Sequence, residues 1–319
     1  METSSSQIFN AAAKSIKADL LEVYRPVKRT VSILAYSQVA DAATSNQRMQ
    51  YVPMLVDLLR QIPVSTAIES AGNKGDYFIV RKLADTALAK QFDAPVNAAY
   101  GVDHIDGASG TYLRWFYDHS LNHLEKRKLP NSTYDPRTRP WYTSAIESEK
   151  AIFSDPYVFF FMDQVGVTAS SANASRQSVV AIDITLKTIS QSLSELRITP
   201  SAVAALSHNG NLIAWSGNEA ILIKDSTGQL RQRTLKELGH PVIKSIADNQ
   251  TPQGWLIYRT TLKLSDDFKP ELTIAVPENE YLTDLQQTRN WVSVGSFMLL
   301  ALLIPMSWMF AHRITGPLH

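Results

Sequence analysis

Two arginines, three aromatic rings and two prolines fall within the nine residues Tyr134-Asp-Pro-Arg-Thr-Arg-Pro-Trp-Tyr142. A planar guanidinium can grip a small carboxylate through two parallel hydrogen bonds while neighbouring rings enclose the rest of a ligand. Pro136 and Pro140 fix φ and remove backbone donors, so the run predicts a rigid loop that gives way to a helix at Pro140, with Trp141 in its first turn. Arg137 and Arg139 lie two apart and share a side if the loop is extended, which lets one of them reach a pocket. A second reading stays open here: Arg139 pairs with an internal acid and the rings fill core.

Other residue types could serve such a pocket. Tyr112, Arg114 and Phe116 share one face of an expected strand, either lining the pocket or forming half-buried core. Tyr157, Phe159 and Phe161 share a face of another, with Phe160 turned the other way into sheet core. Asp183 ends a strand before Thr185, where an Asp commonly caps the next helix. His119 and His123 have the i, i+4 spacing of paired metal ligands on a helix, but no third ligand is identifiable, so they read as surface histidines and no metal is expected. No cofactor motif, G-x-S-x-G or Walker loop is present, and the chain has no Cys, which removes thiolate catalysis and disulfides.

These residues must be held by a chain of 319 residues, 45 % hydrophobic and 19 % charged, with a net charge of +1. That length accommodates two modest domains, and the near-zero charge without a basic stretch argues against nucleic acid. From Trp291 to Ala311 there is no ionisable side chain, a length sufficient to cross the bilayer as a helix. Trp291 and Trp308 stand near its ends, and His312 and Arg313 follow it, placing the C-terminus in the cytoplasm and residues before about 290 outside it. Residues 1–35 show no signal-peptide pattern. We therefore expect an upstream membrane segment in the longer protein.

Along the chain, Phe9, Ala13, Ile16, Leu20, Val23, Val27, Thr30 and Leu34 alternate steps of four and three, predicting a long helix with a coiled-coil seam, kinked at Pro26. It is a dimer stalk (residues 1–45), a helix lying along its own domain, or both at once. Residues 46–61 read as a second helix. Strands are expected over Ser65–Glu69, Tyr77–Leu83, Gly110–Phe116, Ile152–Phe161, Val167–Ala172 and Ser178–Ile184, with Glu125–Lys128 as a solvated helix end. Thr185–Leu196 reads as a linking helix. A second unit follows, with strands at Ala202–Ser207, Leu212–Trp215, Gly254–Leu264 and Glu271–Val276, a helix over Leu235–Asp248, and a tight turn at Asn209-Gly. The fold class is thus α+β: a long N-terminal helix, two domains with antiparallel sheets (46–195 and 196–277), then a linker and transmembrane helix (278–311).

The loop at 134–142 resembles the signature loop of double-Cache sensor modules, the extracytoplasmic ligand-binding regions of bacterial receptors. The resemblance extends through Gly75-Asp-Tyr-Phe-Ile-Val-Arg81, Asp155-Pro-Tyr-Val158 and Val180-Ala-Ile-Asp-Ile-Thr-Leu186, and the tail from Arg313 to His319 resembles the opening of a HAMP linker. It implies two PAS-like units between membrane segments, a homodimer, and a cytoplasmic output domain beyond the tail, most similar to nucleotide cyclases or HD-type phosphodiesterases. It also implies that Tyr134, Arg139 and Trp141 hold a ligand carboxylate. Tyr157 and Asp183 fall where the family holds an ammonium, but Phe159 occupies the place of a further Asp. The expectation is a non-enzymatic sensor of a small carboxylate or mixed polar–aromatic molecule, with simple amino acids disfavoured, since an unpaired buried cation is costly. The competing classes are a ligand-free dimerisation ectodomain, which a pocket filled by its own side chains would favour, and an anchored periplasmic hydrolase.

Overall fold

The fold is that of a computed structural model describing residues 2–281, apart from positions 43, 84, 85, 163, 187–189, 191, 192, 194–198 and 267. The apolar stretch Trp291–Ala311, the HAMP-like tail and most of the helix expected over Thr185–Leu196 lie outside the described residues. Among the described residues no helix is long and apolar enough to cross a membrane.

The heptad-like pattern forms α1 (Glu2–Ala35), with Pro26 inside it. Short helices α2 (Gln38–Asp41), α3 (Ser45–Gln50) and α4 (Val52–Gln61) follow, α3 and α4 being separated at Tyr51 just before Pro53. The capping box of Thr44 and Gln47 starts α3 by satisfying two of its free N–H groups.

The first sheet contains β1 (Ser65–Gly72), β2 (Tyr77–Lys82), β3 (Tyr100–Ile105), β4 (Tyr112–Tyr117), β5 (His123–Leu129), β6 (Ile152–Phe153), β7 (Tyr157–Val158), β8 (Val165–Ala172) and β9 (Ser178–Thr185). Helix α5 (Thr86–Gln91) lies between β2 and β3, and α6 (Pro140–Glu147) between β5 and β6. The order is β5-β4-β3-β2-β1-β9-β8-β6, with β7 also on β8, and the pairs are antiparallel. The cluster expected to be a helix end, Glu125–Lys128, is instead β5 at the sheet edge. Its side chains alternate between exposed and half-buried, and a polar edge strand resists pairing with other chains.

Register sorts the sheet into two chemically different faces. Ala67 pairs with Arg81 and Asp183, Glu69 with Ile79 and Ala181, and Asp103 with Ile79 and Arg114. Paired residues share a face, so Glu69, Arg81, Asp103, Arg114, Thr168 and Asp183 all stand on one side of the sheet. The opposite side presents Ile68, Phe78, Val80, Val102, Val180 and Ile182, buried in the main apolar core with α1 and α4. The seam of α1 lies in that core: Phe9, Ala13, Ile16, Leu20, Val27 and Leu34 are buried and Thr30 half-buried. The coiled-coil seam expected of a stalk is therefore occupied by the chain's own sheets, and the outward side of this region carries exposed Ile8, Ile33 and Tyr36.

The second sheet is built from β10 (Val203–His208), β11 (Asn211–Trp215), β14 (Trp255–Thr261) and β15 (Glu271–Pro277) in the order β11-β10-β15-β14, with β12 (Leu222–Lys224) and β13 (Leu230–Gln232) as a separate hairpin. The β10–β11 turn has Asn209 at φ 51° and Gly210 at φ 78°, the left-handed pair that a two-residue hairpin requires. The helix expected over Leu235–Asp248 is a 3-10 turn at Leu235–Glu237 followed by α7 (Pro241–Ala247), because Pro241 supplies a new helix start.

Candidate ligand-binding cavity

The signature loop does not stay extended. Asp135 caps a 3-10 turn over Pro136–Thr138, and Arg139 then enters α6. The turn sends the two arginines in different directions. Arg137 stays outside, paired with Asp135 at 2.8 Å and donating to the Asn73 carbonyl at 3.2 Å. Arg139 turns inward, with its guanidinium 5.5 Å from the ring centre of Tyr157 and 5.7 Å from that of Phe160. Among the described residues it forms no ion pair. Trp141, 1 % exposed, is locked behind it; its indole bonds the Tyr134 hydroxyl and its carbonyl accepts from Ser170 at 2.8 Å.

The sheet supplies the acids. Glu69 projects from the centre of β1, buried, and one carboxylate oxygen accepts from the Tyr77 hydroxyl. Its other oxygen, Oε1, is buried with no hydrogen-bond partner among the described residues. Asp183, two strand positions away on β9, accepts from Thr168 Oγ1 at 2.6 Å, and Thr168 in turn hydrogen-bonds the Tyr157 hydroxyl at 2.8 Å. Asp183 therefore sits within its strand facing the cavity rather than capping a helix. Burial pushes its carboxyl up to about 6, opposed by the Thr168 hydrogen bond and by the charges of Arg81 and Arg139. Glu69 is raised well above the ordinary range, first by burial and then by Asp183, with Tyr77, Arg81 and Arg139 pulling the other way. Burial likewise raises the Tyr77 and Tyr157 phenols.

Glu69, Asp183, Arg81 and Arg139 enclose, with Tyr134, Trp141, Tyr157 and the rings of Phe159 to Phe161, a cavity of about 20 Å³. That is room for little more than one water molecule. The wall that closes it is the turn between β7 and β8. Phe159 N–H donates to the Gln164 carbonyl at 3.0 Å, and Gln164 N–H to that of Met162 at 2.8 Å. The chain therefore leaves strand conformation after Val158, and side-chain alternation no longer applies. Phe160, expected in the sheet core, is 56 % exposed and lies over Tyr134, 4.9 Å between ring centres, and beside Arg139. Phe161 stacks on Tyr77 and packs tilted against Tyr134. Phe159 packs into an apolar cluster with Leu83, Phe92, Phe116 and Met162 while its ring still reaches Tyr157.

Tyr112 and Arg114 share the sheet face with the cavity but do not line it. Both hold Asp103, which is fully buried: Arg114 reaches it at 2.6 and 2.9 Å, the Tyr112 hydroxyl at 2.8 Å, and Arg81 at 2.8 Å from the other side. Arg81 therefore belongs to both groups, lining the cavity and bonding Asp103. His119 lies in a turn and His123 opens β5, so their spacing does not place them on one helix face. Sequence reasoning missed Glu69, whose strand, Ser-Thr-Ala-Ile-Glu-Ser-Ala-Gly, contains no ligand-like pattern.

No family profile matches the chain. Adenylate cyclase 1 of Rhizobium meliloti (strain 1021) is 27 % identical over 271 residues, covering 77 % of this chain and 39 % of that protein. The methyl-accepting chemotaxis protein McpC of Bacillus subtilis (strain 168) is 25 % identical over 194 residues, 58 % of this chain and 27 % of McpC. The chain thus spans well under half the length of these relatives. Among solved structures, the ligand-binding domain of Pseudomonas fluorescens chemoreceptor CtaA in complex with L-serine superposes with a TM-score of 0.53 at 15 % identity, over 88 % of this chain and all of that one. The ligand-binding domain of the Pseudomonas aeruginosa PAO1 chemoreceptor PctB in complex with L-Arg gives 0.53 at 14 % identity, over 93 % and 98 %. The chain has the double-Cache fold. In this double-Cache fold the first sheet carries the cavity on one face and the main core, with α1, on the other.

Proposed function

We propose that the chain is the extracytoplasmic small-ligand sensor of a bacterial transmembrane signalling receptor, working as a homodimer, with its ligand held in the Arg139 cavity by Tyr134, Arg139, Trp141, Tyr157, Asp183 and Glu69. The observation that carries this reading is a guanidinium without an acid partner among the described residues, set between rings in the same cavity as two buried carboxylates. A carboxylate ligand satisfies Arg139, and a cationic group satisfies Glu69 Oε1 and Asp183. Glu69 thus removes the objection that Phe159 leaves an ammonium half-satisfied. An amino-acid-like zwitterion becomes the favoured ligand, in place of a plain carboxylate.

Entry requires the Phe159–Met162 turn to swing outward, and the exposed ring of Phe160 is the part free to do so. Tyr112 and Arg114 take a positioning role, holding Asp103 and through it Arg81. Occupancy would favour one arrangement of the helices leading to the membrane, biasing the output domain. The cavity's small volume favours one other reading, a structural ectodomain that binds nothing. Calorimetric titration of amino acids and dicarboxylates against wild type and Arg139→Ala separates the two. Saturable binding lost in the variant supports the sensor, whereas no heat from any compound supports the structural role.

A further inference from the structure

A second cavity, of about 570 Å³, lies where the first sheet meets the second unit. This falls within the roughly 300–1,000 Å³ typical of small-molecule sites. Val165, Leu186 and Ser190 form the wall from the first unit, and Trp215, Ile221 and Leu222 the wall from the second.

These walls are mainly apolar, with the polar side chains of Gln164, Thr185 and Asn218 at places along them, and two buried polar atoms stand out. Trp215 is 4 % exposed, and its Nε1–H, like Ser190 Oγ, is buried with no hydrogen-bond partner among the described residues. The indole is held in place by edge contact with His240, 5.7 Å between ring centres. Gly217, also at this wall, lies directly against the Nε1 edge, where any Cβ would collide with it. Glycine therefore keeps any side chain off the donor edge of the ring. Glu219, at the same wall, is already paired with Arg233 and accepts from the Gly239 N–H at 2.9 and 3.0 Å, so the described lining residues offer no free charge. A buried N–H without an acceptor is a standing cost that a ligand carbonyl removes. An ionic ligand would find no counter-charge among the described lining residues.

We propose that this junction cavity is a second binding site, for a neutral, mainly apolar small molecule that carries one hydrogen-bond acceptor, such as a ketone or ester carbonyl, to receive the Trp215 indole N–H. The site does not depend on the Arg139 cavity being a sensor. Its occupant touches both units at once, through Leu186 just beyond Asp183 on one side and the segment after β11 on the other.

The test is fluorine NMR of para-fluoroacetophenone and of para-fluoroethylbenzene, which lacks the acceptor, against the 319-residue chain in lipid nanodiscs. Ala220→Trp, at an exposed position on the cavity wall, blocks the space without touching core. Trp215→Phe removes the donor. Wild type should bind the ketone about 2- to 10-fold more tightly than the ethyl analogue, the size of one net hydrogen bond. Trp215→Phe should erase that preference, and Ala220→Trp should abolish binding of both while its melting temperature holds. Equal binding by Ala220→Trp and wild type, no binding at all, or a ketone preference that survives Trp215→Phe would each overturn the proposal.

Discussion

At the scale of single residues, Arg139 has no ion pair among the described residues whereas Asp103 is paired with Arg81 and Arg114; on the proposed function the first charge is held for a ligand and the second for the fold. The guanidinium of Arg139 rests between the Tyr157 and Phe160 rings, so Arg139→Ala should weaken carboxylate ligands about 10- to 100-fold, the weight of a charge-assisted pair, with little change in melting temperature. Calorimetry beside a thermal melt checks both halves. Asp103→Ala instead strands buried Arg81 and Arg114 and should cost about 3–5 kcal/mol in denaturant unfolding. Asp183 is pushed from 3.8 to about 6, so the folded chain holds that proton more tightly than the unfolded one. Its contribution is present at low pH and fades as pH rises from about 4 to about 6, by up to about 3 kcal/mol. Glu69 acts with the same sign. Asp183→Asn should therefore flatten the decline of stability with pH, read from melts across pH 4–7. Arg139, Tyr134, Trp141, Tyr157 and Asp183, which line the cavity, stood out in the sequence because their types and spacing resemble a known signature. Glu69 did not: its facing depends on register with β2 and β9, which no local pattern encodes.

At the scale of elements, α1 and the β7–β8 turn carry the argument. Leu20 on the α1 seam is 4 % exposed, and Leu20→Ala should cost about 2–5 kcal/mol in denaturant unfolding, as for a core leucine in one chain. A seam used only between copies would make that loss depend on protein concentration. The heptad spacing revealed the helix but could not say which surface the seam covers. Likewise, three consecutive phenylalanines read as strand, and only the backbone bonds between Phe159 and Gln164 show the turn that brings Phe160 over Arg139. Phe160→Ala should speed ligand association in stopped-flow measurements while shifting stability by no more than about 0.5 kcal/mol, since the ring is largely exposed. The edge strand β5 was missed because its run of Glu, Lys and Arg carries no apolar alternation.

At the scale of the whole molecule, two antiparallel units were visible in turn-delimited strands and in the Asn209-Gly hairpin, whereas the packing of α1 and the cavity between the units arise from long-range contacts. On the proposed function, a small zwitterion displaces the Phe160 ring and bridges Arg139 to Glu69 and Asp183. A crystal structure of the chain with the tightest-binding amino acid tests this most directly. The account predicts the ligand carboxylate on the Arg139 guanidinium, its ammonium on Glu69 Oε1 and Asp183, and the Phe160 ring moved off Arg139. A ligand bound elsewhere, with Phe160 still covering Arg139, would contradict it.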